Sequence, residues 1–371
     1  MPNTILQVLP RKLYQQPSHP IGILRDIIES KFPTDTFTRY ENFPAVVSVE
    51  ENFDSLGFPP DHPGRSRTDT YYINSSTLLR THTSAHEAET FQNCQTPGYL
   101  ISADVYRRDA IDKSHYPAFH QMEAARMWKR TPNKSVVEEV EASLATLPNA
   151  NIHVSDEAPP FHPQRNPTQP QHTDQEATAV GNHLKRTLEG VMAEVFTRAA
   201  TASSSSSNST PEPLQVRWIE AYFPFTSPSW EMEVFWNGQW LELLGCGVTR
   251  QGLLDNNGAR NRIAWAFGIG LERLAMVLFG IPDIRLFWSL DPRFTKQFTQ
   301  GKVTTFRPYS KYPACVKDIA FWIVGQGDTS SAGGGSSPFH ENDFMEVVRD
   351  VAGDLVEDCS KVDFDGSLPC R

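Results

Sequence analysis

Between two strand-like runs, Trp230 to Trp236 and Gln239 to Leu244, stands the dipeptide Asn237-Gly238. Asn-Gly favours the two-residue type I′ hairpin turn, whose central residues both take positive φ. The two runs are therefore expected to pair antiparallel in a fixed register. Trp236 faces Gln239 and, counting back, Glu233 faces Glu242. Two carboxylates directly opposite repel unless a proton or a cation sits between them. A magnesium ion, which takes one or two carboxylates together with substrate phosphates, meets that need. A bulge that moves the register by one residue, or a solvated strand face, is the alternative.

A second segment, Gly268-Ile-Gly-Leu-Glu-Arg273, reads as a strand end, a glycine turn and a short helix. Leu271, Leu274, Ala275 and Leu278 fall at helical spacing, and Gly280 and Pro282 are stop signals. The glycines let the backbone come close to a ligand, and Arg273 places a fixed positive charge beside it. A nucleotide polyphosphate suits that combination.

Two more runs, Tyr99 to Arg108 and Phe119 to Met127, flank a loop containing His115 and Tyr116. Strand alternation puts Phe119, Gln121 and Glu123 on one face. If the runs pair antiparallel with Arg107 on the same side, they form a compact site. Arg107 meets an anion, Phe119 offers a ring for stacking, and Gln121 and Glu123 receive an ammonium or amide donor. The plainer alternative is an Arg107–Glu123 cross-strand pair worth about 0.2–1 kcal/mol. Ser84-Ala-His-Glu87 fits a capping box. A helix start with a free hydroxyl also holds carboxylates, and the two readings are compatible. Tyr222-Phe-Pro-Phe225 and Trp265-Ala-Phe267 supply an apolar slot for an aromatic ring, or ordinary core.

The 371 residues are enough for two domains. No apolar run approaches the ~20 residues of a membrane span. Five scattered cysteines without a CxxC pair argue against a zinc site or a disulfide framework. A formal net charge of −10 means that any RNA contact is local rather than a bulk electrostatic effect. From Pro20 the chain reads as an amphipathic helix (Ile21, Leu24, Ile27, Ile28, then Phe32), and no import signal is visible. Residues 129–215 change character and read as a polar insert holding His153, His162 and His172, expected to be solvated. Within it Val136 to Leu147 and residues 175–198 have helical spacing, and a serine run reads as a linker.

Taken in order, Thr-His-Thr-Ser-Ala-His, Tyr-Arg-Arg-Asp, Phe-His-Gln-Met-Glu, Tyr-Phe-Pro-Phe-Thr, Trp-Leu-Glu-Leu-Leu-Gly-Cys-Gly and Gly-Ile-Gly-Leu-Glu-Arg resemble the phenylalanyl-tRNA synthetases of the monomeric mitochondrial type. The resemblance runs from about residue 10 to the C-terminus, apart from residues 129–215. It implies an α+β class II synthetase domain, an antiparallel sheet flanked by helices, over residues 1–300. It implies a partial ferredoxin-like anticodon-binding domain over 301–371, opened by a strand at Ala314 to Val324 and a helix at Asn342 to Val356, with the second half absent. The implied reaction joins phenylalanine to tRNA(Phe) through an adenylate, using ATP and Mg²⁺, in a monomer of the mitochondrial matrix with no membrane partner. The implied catalytic residues are Arg107, Glu123 and Arg273. ATP would lie against Arg107, His115, Tyr116, Phe119, Glu242 and Arg273, with Glu233 and Glu242 toward the metal. His82, Ser84, Ala85, His86, Gln121, Met122, Glu123 and Glu242 would take the amino acid's polar end. Phe223, Phe225, Ala266 and Phe267 would take its ring. The rival expectation is a synthetase-derived RNA-binding protein that has lost catalysis or charging. Retention of Arg107, Gln121, Glu123, Glu242 and Arg273 favours the enzyme.

Overall fold

The computed structural model describes residues 1–109, 112–156, 159–203, 213–309, 317, 319 and 340–352. Eight strands form one sheet in the order β1 (Phe37–Tyr40), β4 (Gly98–Tyr106), β5 (Ala118–Lys129), β10 (Arg262–Gly270), β9 (Gln239–Thr249), β8 (Thr226–Trp236), β7 (Leu214–Glu220) and β6 (Ile152–Ser155). The short strands β2 (Val46–Ser48) and β3 (Thr77–Leu79) pair apart from it. The helices are α1 (Asn3–Val8), α2 (Pro20–Glu29), α3 (Glu87–Asn93), α4 (Val136–Thr146), α5 (Asp174–Ser203), α6 (Gln251–Asn256), α7 (Leu271–Phe279), α8 (Pro292–Thr295) and α9 (Glu341–Ala352). The expected antiparallel sheet is in fact mixed: β1 runs parallel to β4 and β6 parallel to β7, both pairs at the edges.

Helices α2, α5 and α7 cover one face of the sheet. In α2, His19 accepts from the Ile21 amide and Pro20 occupies the first turn, where a missing N–H costs nothing. Its apolar stripe then buries Ile21, Leu24 and Ile28 completely. Each such side chain contributes about 1.5–3 kcal/mol relative to exposure. Helix α7 buries Leu271, Leu274, Ala275 and Leu278, the stripe the sequence shows. It ends at Gly280, whose φ of +63° closes the helix in the left-handed region.

The described parts of residues 129–215 are built into the core rather than solvated. Strands β6 and β7 extend the sheet, and α4 packs on α5. Val180, Leu184, Leu188, Val191, Met192 and Val195 of α5 lie in the main core. Gly181 lets α5 settle on Trp230, since a Cβ there would stand 2.8 Å from the indole. The Trp265 Nε1–H of β10 donates to His183 Nδ1 of α5 at 3.1 Å. The helical spacing expected over 175–198 is the buried face of α5. His172, expected to be solvated, is buried and bonded through Nε2 to Gln251 at 3.0 Å. His153 is exposed and His162 half-buried. The strand expected at 314–324 and most of the serine run lie outside the described residues.

The opposite face carries α3 and α6 at one end, over Tyr99, Ala125, Ala264 and Ala266. The other end of that face holds the candidate site.

Candidate active site

Register assembles the floor. Ile101, Glu123, Gly268, Gly245 and Glu231 lie in one row across β4, β5, β10, β9 and β8. The row beside it is Ala103, Gln121 and Gly270, and the next is Tyr99, Ala125, Ala266 and Gly247. Directly opposed residues share a face, so Gln121 and Glu123 rise beside a strip of glycine and alanine. A Cβ built on Gly268 or Gly270 meets nothing within 4 Å. The floor is open where the sequence expects a ligand to approach.

A row of rings forms the wall. Phe223 lies on Gly245, where an added Cβ would come 2.5 Å from the ring. It stacks with Phe225 at 6.0 Å between centroids and an interplanar angle of 9°. Phe225 stands 6.2 Å from Phe58, and Phe58 stacks on His82 at 5.4 Å and 8°. Burial and the nearby Arg107 charge pull the His82 pKa down to about 3, so its ring is neutral. Phe58, in a Gly-Phe-Pro-Pro turn, was not anticipated; turn composition hides which ring points inward.

Glu123 is buried, and its Oε2 accepts from the hydroxyls of Ser84 and of Thr83, the latter at 3.2 Å. Its Oε1 is buried with no partner. Burial raises its pKa to about 7 against the lowering effect of the two hydroxyls. Gln121 Oε1 accepts from the Thr83 amide at 3.2 Å. The expected capping box is absent. No side chain accepts from the start of α3, and the Ser84 hydroxyl donates to the Glu123 carboxylate of a distant strand.

Arg107 follows β4 immediately. It is exposed, its Nε donates to the Thr81 carbonyl at 2.9 Å, and its guanidinium sits 5.2 Å from the Phe119 ring centroid. It does not pair with Glu123, which lies opposite Ile101. Arg273 is exposed in the first turn of α7 and donates to the Glu242 carbonyl at 2.8 Å. Its neighbour Glu272 is buried and accepts from the His120 amide at 2.8 Å, which fastens the start of α7 to β5.

The hairpin register is the expected one, with Asn237 at φ 50° and Gly238 at φ 84°, and Glu233 opposite Glu242. A bulge does occur, one step away. Met232 pairs with Leu244 and Glu233 with Glu242, so Leu243 is surplus. That extra residue brings Glu242 onto the face of Gly245 and Glu231. Glu233 is already paired with a cation, because Arg217 Nε donates to its carboxylate at 2.6 Å from the next strand. The guanidinium relieves the expected repulsion. No group of three His, Cys, Asp or Glu residues disposed for a metal occurs among the described residues. Glu231, unanticipated, shares the face; burial, Glu242 and Glu233 raise its pKa.

Several positions carried over by resemblance point elsewhere. Met122 and Phe267 alternate to the helix-covered face and are buried in its core. Ala85 packs among Val47, Phe53 and Leu78. His86 stacks on Phe43 at 4.3 Å, and its Nε2 bonds Arg80 at 3.0 Å. Tyr116 stacks on Trp288 at 5.9 Å, and His115 is exposed and bonded to Asp112 at 2.6 Å.

Residues 5–163 and 182–298 match the class II tRNA synthetase core domain (F). The match includes most of residues 129–215, the segment expected to stand outside the resemblance. The mitochondrial phenylalanine–tRNA ligase of Saccharomyces cerevisiae is 49% identical, over 97% of this chain and 80% of its own. The chloroplastic/mitochondrial phenylalanine–tRNA ligase of Arabidopsis thaliana is 40% identical, over 98% and 71%. The mitochondrial phenylalanine–tRNA ligase of Mus musculus is 39% identical, over 97% and 73%. The chain belongs to the phenylalanine–tRNA ligase family.

Proposed function

We propose that the protein activates phenylalanine with ATP and transfers it to tRNA(Phe). One observation carries the reading. A single sheet face holds an anion–amide pair, Glu123 with Gln121, beside an open glycine floor and an aromatic wall, with Arg107 and Arg273 on either side. The amino acid's ammonium docks on Glu123 and Gln121, and its ring lies on the glycine–alanine floor against Phe223 and Phe225. Its carboxylate oxygen attacks the α-phosphorus of ATP, and the bond to the departing pyrophosphate breaks. The acyl group then passes to a hydroxyl of the tRNA terminal ribose. Two anions must meet in the first step. Arg107 and Arg273 offset their repulsion and stabilise the charge that builds on the phosphate. Glu242 and Glu231, which share the face, would hold Mg²⁺: burial first and then the charges of Glu242 and Glu233 raise the Glu231 pKa, and a bound cation would relieve the repulsion. When bound there, the ion would neutralise charge on the phosphates.

The same proposal includes a monomer, and a place in mitochondria that the relatives' printed names support. It also includes a division near residue 300, with 301–371 as a partial anticodon-binding module. Its described helix, α9, packs back on the core, where Glu346 pairs with Arg108 at 2.5 Å.

Phenylalanine-dependent ATP–pyrophosphate exchange, run beside tRNA charging on one preparation, tests the reading. Absence of exchange with phenylalanine refutes it; exchange without charging confines the protein to the first step. The Glu123 carboxylate must be charged to hold an ammonium. With its pKa at about 7, the KM for phenylalanine is expected to climb as pH falls below about 7. A KM that stays flat across that range removes Glu123 from the role.

A further inference from the structure

A cavity of about 500 Å³ opens between α4 and the ends of β5 and β10. Arg126, Lys129, Lys134 and Arg262 line it, together with one acid, Glu139, which Lys134 holds at 2.7 Å. Arg126, Lys129 and Arg262 have no carboxylate partner among the described residues. Lys129 is exposed, and Arg262 donates to Met127 Sδ at 3.4 Å, a weak acceptor. Arg126 lies opposite Trp265, on the face away from Glu123, and is half-buried with its guanidinium 4.8 Å from the Trp128 ring centroid. Its Nε is buried without a partner, and its Nη1 stands 3.1 Å from His183 Nε2. That nitrogen is a poor acceptor. Burial and the Arg126 charge pull the His183 pKa down to about 3, so the ring is neutral and offers one acceptor nitrogen. The indole N–H of Trp265, wholly buried, donates to Nδ1 at 3.1 Å. Nε2 then carries the proton and donates to the Ser143 hydroxyl, also at 3.1 Å. The Arg126 guanidinium is left with neither a counter-charge nor a good acceptor, and a sunken cation in that state is costly.

We propose that this cavity is a second binding site, for a phosphate dianion, free or at the end of a small ester, held by Arg126, Lys129 and Arg262. A planar guanidinium fork matches phosphate oxygens, and three cations from two neighbouring strands suit a ligand with more than one negative charge. The volume is that of a small-molecule site. Arg126 lies deeper than the exposed Lys129 and Lys134. A terminal phosphate can enter such a recess, whereas a phosphodiester in an RNA backbone carries a sugar on both sides. The site is separate from the one assigned to ATP and phenylalanine, since Arg126 and Glu123 alternate to opposite faces of β5.

Thermal melts of the full chain in inorganic phosphate, with ionic strength held constant by chloride, test this. A ligand that binds the folded state alone raises the melting temperature with the logarithm of its concentration. The unaltered protein should gain about 3 °C for each tenfold of phosphate above the dissociation constant. Phosphate also stabilises folds generally, so the gap between proteins is the readout. Arg126→Met removes the uncompensated cation; it should melt higher than the unaltered protein without phosphate and lose most of the slope. Lys129→Ala, at an exposed position, should shift the onset to about tenfold higher phosphate. Arg107→Ala should keep the full slope, which separates this site from the one assigned to ATP and holds whether or not phenylalanine is the substrate. Glycerol 2-phosphate in place of phosphate names the natural form: an earlier onset points to an ester, a later one to the free ion. Arg126→Met and Lys129→Ala climbing as the unaltered protein does would overturn the proposal, as would loss of the slope in Arg107→Ala. Stabilisation by tRNA with none from either small phosphate would overturn it in favour of an RNA backbone.

Discussion

Arg107→Ala is expected to slow phenylalanine-dependent pyrophosphate exchange by about 10²–10³-fold, the usual cost of losing one donor aimed at developing charge. The side chain is exposed and held by one bond to the Thr81 carbonyl and by the Phe119 ring. It buries no counter-charge, so its removal should leave the melting temperature nearly unchanged. The loss should appear in kcat, because the interaction strengthens only as charge builds on the phosphate. Arg107→Lys should recover little, since an ammonium cannot reproduce the planar fork. An alanine variant that retains a third or more of the wild-type exchange rate would remove Arg107 from the phosphate site.

The second large effect is on stability. Arg80 is 1% exposed and binds Asp104 through the side chain and, at 2.6 Å, through its carbonyl. It also donates to the carbonyls of Phe43 and Pro44 at 3.1 and 2.9 Å. Arg80→Met leaves a buried carboxylate with no cation, which costs about 3–5 kcal/mol. Burial pushes the Asp104 pKa up, but Arg80 and the Tyr106 hydroxyl outweigh it and hold the group below its ordinary value. A depressed folded pKa contributes stability that is present above the unfolded pKa and lost as pH falls through the folded one. In the variant the same carboxylate becomes costly when charged. The denaturant-midpoint gap between the two proteins should therefore be widest near neutrality and narrow in acid. A gap under about 1 kcal/mol at neutral pH would show that Asp104 finds other support.

Local rules carried the sequence reading where one rule governed. Asn237-Gly238 imposed both a turn type and a pairing, and the ladder obeys them. The apolar stripe of α7 and its stop at Gly280 were legible because periodicity and punctuation agreed. Gln121 and Glu123 fell on one face by alternation alone. Met122 and Phe267 were misplaced because motif membership was allowed to override that alternation; each sits one residue from a site position and so faces away. Ser84 and Glu87 matched a local motif, yet the serine hydroxyl is turned to the Glu123 carboxylate of a distant strand. Helix α5 was set aside as part of an insert because its neighbours in sequence are polar, although its own buried face is continuous. Contacts between segments far apart in sequence decide such cases, and composition does not record them.

The tightness of one turn reaches further than its position suggests. Were the hairpin to close through three residues, 237 to 239, the two strands could run without a break, Leu243 would sit across from Glu233, and Glu242 would face Val234 in the interior. The two-residue closure that Asn-Gly prefers forbids this by a single count, and the surplus is taken up at Leu243. An odd–even mismatch between the two ends of a ladder thus determines which side of the sheet receives a carboxylate, and a dipeptide at the solvent-facing tip has a say in the chemistry of the cleft.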